Sequence, residues 1–288
     1  MRKEEFETNS EDGVILRGNL LIPEQPKAII QFNCGTATKK EFYLPFLTYL
    51  AKHNYLCCLW NYRGSEKNDD LKNSAYTFID YGTKDMPAIK AYLERQFPGL
   101  PLLFIGHSAG GQQIGFIRDL SNVKGNINIA VSSGYYPNMP FGYRMKAYFF
   151  FYVFSPISVL LNGFVKAKPY GIMENLPKKV VFQWRDWLEK EDYFFNEKFY
   201  GVTVPTGHFK NFQFPIHVIY STDDTISNAK NTKAFWQNVS SEKAITFRAL
   251  SPEEFGLKKI DHFGYFKTRM KDKLWTDIVK LLDDLIRG

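Results

Sequence analysis

The chain has 288 residues, 44% of them hydrophobic and 23% charged, which is ordinary globular composition and enough for one large core. Its formal net charge is +7, but 37 Lys and Arg are interspersed with 30 Asp and Glu and no block of like charge stands out, so no nucleic-acid partner is expected. Three cysteines, Cys34, Cys57 and Cys58, cannot form a disulfide framework and lack metal-site spacing; with a charged N-terminal run that has no apolar leader segment, they suggest a cytoplasmic protein with reduced thiols.

In chain order, residues 6–9 and 14–22 flank Glu11-Asp12-Gly13 and predict a β-hairpin. A buried strand is expected at 28–32, a helix at 42–53 with Phe42, Phe46, Leu47 and Leu50 on one face, and a second buried strand at 55–60. A polar loop at 63–72 precedes a helix at 83–97, a strand at 102–105, a helix running to about residue 120, and a strand at 127–132. Strands alternating with helices imply right-handed crossovers and a parallel sheet, with the hairpin antiparallel at one edge. The pattern breaks after Gly134. Helices are expected at 144–153, 157–165 and 192–200 in a segment rich in aromatics and proline. A strand at 216–220, a helix at 231–239, a strand at 244–250 and a helix at 274–286 then resume the sheet. The fold class is therefore α/β, with a core of residues 1–134 and 214–288 and an inserted helical segment at 135–213. The most membrane-like stretch, 147–161, spans 15 residues around Pro156 and reads as too short to cross a bilayer.

Chemistry concentrates where the 102–105 strand meets the next helix, in Gly106-His107-Ser108-Ala109-Gly110. A serine on so tight a strand-to-helix turn is forced outward at the carboxyl end of the sheet, and the glycines two positions away relieve the clash. A serine hydroxyl is a weak nucleophile without a base, and the base needs an orienting carboxylate.

Asn33-Cys34-Gly35, Asn61-Tyr62-Arg63-Gly64-Ser65, the Ser108 segment, Asp223-Asp224-Thr225-Ile226 and Asp261-His262-Phe263-Gly264 together resemble the α/β-hydrolase superfamily. The likeness is to capped serine hydrolases of the serine-aminopeptidase and monoacylglycerol-lipase branch, and to bacterial α/β hydrolases. That resemblance implies the order nucleophile, acid, histidine. Of five histidines, His53 precedes Ser108, His107 sits inside the turn, His208 lies in the insertion and His217 in a strand, which leaves His262 as the base. The family's Gly-x-x-Asp loop favours Asp224 as the acid, with Asp223 as the alternative. The backbone N–H groups of Ala109 and Thr36 are the expected oxyanion donors. Two positions depart from the family pattern: Cys34 replaces the usual histidine before Gly35, and Asp261 stands where glycine is frequent.

The resemblance further implies a serine hydrolase of the carboxylesterase or lipase type, acting through an acyl-enzyme on a small-molecule ester or acyl substrate with no metal or cofactor. The alternatives are a non-catalytic small-molecule binding protein of the same fold, or a peptidase or thioesterase. A peptidase needs a carboxylate for the substrate amine, and Glu174, Asp186, Glu189, Glu191 and Asp192 are available in the insertion. The aromatics of that segment have three readings. Residues such as Tyr148, Phe151 and Phe154 could line an acyl pocket, or form the insertion's own core. The third reading is peripheral membrane or lipid contact, since ten Lys and Arg face six Asp and Glu between Pro137 and Pro215.

Overall fold

A computed structural model describes residues 1–66 and 69–287; Lys67 and Asn68, in the expected polar loop, lie outside the described residues. Among the described residues eight strands form one sheet in the order β1-β2-β4-β3-β5-β6-β7-β8. The hairpin is present: β1 (Arg2–Asn9) pairs antiparallel with β2 (Ile15–Ile22), which pairs antiparallel with β4 (Tyr55–Trp60). β3 (Ala28–Asn33), β4, β5 (Leu102–His107), β6 (Val123–Ile129), β7 (Ile216–Ser221) and β8 (Ile245–Leu250) are mutually parallel. Every residue of β3, β4 and β5 is buried, as their continuous apolar runs require when helices cover both faces. β1 lies at one edge and carries Arg2, Lys3, Glu4, Glu5 and Glu7, charges that discourage pairing with another chain.

The covering helices are α1 (Leu44–Lys52), α2 (Met86–Gln96), α7 (Ala229–Trp236) and α8 (Thr276–Arg287). Ile278, Leu282 and Leu285 of α8 are buried, and Gly125 of β6 leaves room for Leu285: a Cβ there would come within 2.5 Å of it. From β3 the chain steps to β4 on one side, and from β5 it steps outward the other way through β6, β7 and β8. The loops after β3 and β5 therefore diverge, opening a crevice at the carboxyl ends of the strands.

Several expected elements differ. The helix after β5 is short: α3 (Ala109–Gln112) gives way to a 3-10 turn at Ile114–Phe116 instead of continuing to residue 120. β6 starts earlier and ends earlier than 127–132, because Asn126 and Asn128 are buried in the strand despite their polarity and Ala130 turns the chain at φ 54°. The helices expected at 144–153 and 157–165 are one. α4 (Phe141–Tyr148), a π-helical stretch Phe149–Phe154 and α5 (Ser155–Asn162) form a continuous 22-residue helix, Phe141–Asn162. The wide π turns lie immediately before Pro156, where a proline ring would clash with a carbonyl one turn back in a regular α-helix. This helix is longer than the 15-residue stretch apparent in the sequence and long enough to cross a bilayer. α6 (Lys178–Leu188) had no sequence signal strong enough to predict it, and the expected helix at 192–200 is a 3-10 turn at Tyr193–Phe195 followed by turns.

Candidate active site

Ser108 follows the last residue of β5 with φ 51° and ψ −123°, a conformation that costs a non-glycine residue strain and is held by its surroundings. Ser108 N–H donates to Ile129 O (3.0 Å), and Ser108 O accepts from Gly111 N (3.0 Å) and Gln112 N (3.2 Å). The flanking glycines are sterically required. A Cβ on Gly106 would lie 2.4 Å from Gly111 Cα, and one on Gly110 would lie 2.0 Å from Asn33 O. Gly110 thus locks the turn against the end of β3, the loop expected to supply the second oxyanion donor.

The two aspartates after β7 divide their work. Asp224, 2% exposed, places Oδ2 2.9 Å from His262 Nδ1, and its Oδ1 accepts from Ile226 N (2.8 Å) and Ser227 N (2.9 Å). Asp223 instead accepts from the backbone N–H groups of Ile260 (3.0 Å) and Asp261 (3.0 Å), fixing the loop that leads into His262. An Nδ1–H aimed at a carboxylate leaves Nε2 unprotonated, the form a general base requires. Ser108 and His262 line the same cavity without a hydrogen bond between them, a spacing common before substrate binds.

Both family departures have a local account. Asp261 sits at φ 55°, the left-handed region where glycine is at ease and Asp is among the few tolerated substitutes. Its carboxylate is paired with Lys259 Nζ at 2.5 Å. Cys34 is buried and its thiol donates to Trp60 O, so the family's histidine position is filled by a packing residue.

His107 bonds locally, as its place inside the turn implies. Its Nε2–H donates to the backbone O of His262 (3.0 Å), so Nδ1 must accept, and the Tyr43 hydroxyl donates to it (2.8 Å). The Tyr43 oxygen accepts in turn from Gly35 N–H (3.0 Å). One hydrogen-bonded line therefore joins the loop after β3, the serine turn and the histidine loop. Burial, with the neighbouring His262 adding to it, holds the His107 pKa well below its ordinary value, which keeps the ring neutral. Gly35 is confined by the same ring: a Cβ there would meet His107 Nδ1 at 2.7 Å.

Thr36 lines the cavity, and its hydroxyl is buried without a hydrogen-bond partner among the described residues. Ala109 opens the short α3 helix, where a first-turn N–H has no intrahelical acceptor. Ser108, Thr36 and His262 border one cavity of about 570 Å³. Of the expected pocket residues, Phe151 lines it and Tyr148 and Phe154 do not. Tyr148 packs on Tyr136 (4.9 Å between ring centres) and Phe154 on Phe150 (5.8 Å) and Tyr170 (5.5 Å). Phe150, another of the aromatics expected there, also lines the cavity; the lining that sequence reasoning missed includes Phe42, Met139, Ile172, Trp184 and Phe263. These come from separate loops and helices, and nothing in their local sequence marks them. Among the described residues, no group of three or more His, Cys, Asp and Glu side chains could hold a metal ion.

Residues 24–133 match the model of the serine aminopeptidase family S33. No curated protein sequence matches the chain significantly. Among solved structures it is similar to a soluble variant of monoglyceride lipase from Saccharomyces cerevisiae bound to a substrate analogue, at 12% identity and a TM-score of 0.69 over 99% of this chain and 95% of that one. A thermostable carboxyl esterase from Bacillus coagulans in complex with glycerol matches at 13% identity and 0.65, over 99% of each chain. The esterase domain of a Rhodothermus marinus protein matches at 16% and 0.57, over 100% of this chain and 98% of that one.

Proposed function

We propose that this protein, which has the α/β-hydrolase fold, is a serine hydrolase that cleaves a carboxylic ester carrying an apolar acyl group. The observation that carries the reading is the strained Ser108 turn opening, with the His262–Asp224 pair, into one largely apolar cavity. Ser108 Oγ attacks the ester carbonyl while His262 Nε2 takes its proton, and Asp224 stabilises the resulting imidazolium. The N–H groups of Ala109 and Thr36 receive the oxyanion, where the loss of one donor typically costs about 10²–10³ in turnover. The tetrahedral species collapses, the alcohol leaves with the proton from His262, and water repeats the sequence to free the acid and Ser108. Segment 135–213 serves as the cap over this site, with Phe151 and Phe150 against the acyl chain.

An ester fits better than a peptide. Of the five carboxylates available to hold a substrate amine, only Glu174 lines the cavity, and it is paired with Lys168 (2.9 Å) and Lys39 (3.6 Å). The test is labelling by a fluorophosphonate probe, followed by hydrolysis of p-nitrophenyl esters from acetate to palmitate with Ser108→Ala as control. Folded native protein that neither labels nor turns over any ester would overturn the enzyme reading in favour of a binding protein.

A further inference from the structure

The Phe141–Asn162 helix has two unlike faces. Phe150, Phe151, Ser155 and Ser158 are buried against the rest of the molecule. On the opposite face Phe141, Met145, Phe149, Val153, Ile157 and Leu161 follow one another at intervals of four, and all are exposed, with Leu160 beside them 84% accessible. The adjoining loop adds exposed Tyr170 and Ile172. This is most of the large apolar surface the described residues leave in contact with solvent, gathered on one strip about 33 Å long at 1.5 Å per residue.

The topology excludes a crossing. The strands before the helix and β7 and β8 after it belong to one sheet, and β6 pairs directly with β7. A single passage through a bilayer would put those neighbours on opposite sides. The helix can only lie flat. Charge selects what it lies on. Arg144, Lys146, Lys166 and Lys168 flank the strip, and no Asp or Glu occurs between Asp119 and Glu174. Glu174 is itself tied to lysines, and Glu189 at the edge is bound to the Tyr152 hydroxyl. A second copy of the chain would bring these cations face to face, whereas an anionic lipid surface neutralises them.

We propose that the exposed face of this helix, with residues 166–172, docks the protein in plane on an anionic lipid bilayer. Lys146, which flanks the strip, Ile172 of the adjoining loop and Tyr143 of the same helix also line the Ser108 cavity, so the cavity mouth opens beside the lipid. Docking stands independently of catalysis; only the corollary, that the ester is a lipid drawn from the bilayer, rests on the hydrolase reading. The test is co-sedimentation of the full chain with vesicles of phosphatidylcholine alone or with about a third phosphatidylglycerol, at low and high salt. Binding is expected to the anionic vesicles, weakened by salt. The combined Ile157→Glu, Leu160→Glu and Leu161→Glu variant should lose it about tenfold or more, with circular dichroism and p-nitrophenyl acetate turnover as in the native protein. Ser108→Ala should bind as the native chain does, which separates a failure of docking from a failure of the enzyme reading. Native protein left in the supernatant, or equal binding to both vesicle types, would overturn the assignment. So would a native dimer that the triple variant dissociates without any vesicle binding.

Discussion

The Asp223-Asp224 doublet shows how far two identical neighbours can diverge in role once their hydrogen-bond partners are known. Asp224→Asn is expected to lower kcat by about 10³–10⁴ with little change in KM, because the amide no longer fixes the imidazole tautomer. Asp223→Asn should cost roughly tenfold, since backbone N–H groups of the histidine loop lose part of a charged acceptor; steady-state kinetics on a soluble ester would read both. His107 yields a signed pH prediction. The folded protein holds it neutral, whereas in the unfolded chain it titrates near 6.5, so below that value the unfolded state binds more protons and stability falls with pH. Thermal melts from pH 7.5 to 5 should therefore show a falling Tm, with a shallower slope in His107→Gln. Glycine spacing and strand context marked the Ser108 turn in the sequence, while the order that points to Asp224 and His262 came from the resemblance to α/β hydrolases. The strain at Ser108 was not legible there, nor was the line from Gly35 through Tyr43 and His107 to the His262 carbonyl, which joins positions 35, 43, 107 and 262 across three loops.

Arg63, noticed in the sequence only as part of a family-like segment, ties elements together. Its buried guanidinium donates through Nε to Asp85 (2.7 Å), at the start of α2, and through Nη1 to Asp12 (2.8 Å), in the β1–β2 turn. The hydrogen bond from Arg63 holds Asp12 well below the usual carboxylate range, while burial pushes Asp85 up to about 7 against the pull of Arg63. Arg63→Ala should destabilise by about 3–5 kcal/mol in urea unfolding, the range for removing one partner of a buried pair. With its counter-charge gone, Asp85 is still more averse to ionising, so the loss should be larger at pH 8 than at pH 6. On the α4–α5 helix, Phe151→Ala should shift preference among p-nitrophenyl esters by about tenfold, and Phe154→Ala should leave it unchanged. A selectivity shift from Phe154 instead would contradict the packing assigned to it. Sequence periodicity found α1, α2 and α8, whose faces divide cleanly into buried and exposed. It split the 22-residue helix at Pro156, because a π stretch that accommodates proline has no composition of its own. It missed α6, where Trp184 and Trp187 belong to different surroundings: Trp184 borders the cavity and Trp187 is buried against Phe78, Tyr193 and Phe194.

Across the molecule, the parallel sheet was readable because buried strands announce themselves as apolar runs. The cavity was not, since its wall is assembled from residues far apart in the chain. The inserted segment is also less separate than its sequence break suggests. Phe194 and Phe209 pack on Phe116 (5.1 and 4.8 Å), and Phe195 packs on Phe235 of α7 (5.3 Å), so its last third belongs to the core. β6 and β7 nonetheless pair directly, with 86 residues between Ile129 and Ile216. Closing a loop of that size depends only logarithmically on its length: halving it alters the closure term by about 0.6 kcal/mol. The sheet is thus nearly indifferent to what the α4–α5 helix and its return loop contain. A lineage could exchange that piece, and with it the molecules admitted to Ser108, without re-evolving the strands that hold the serine in place.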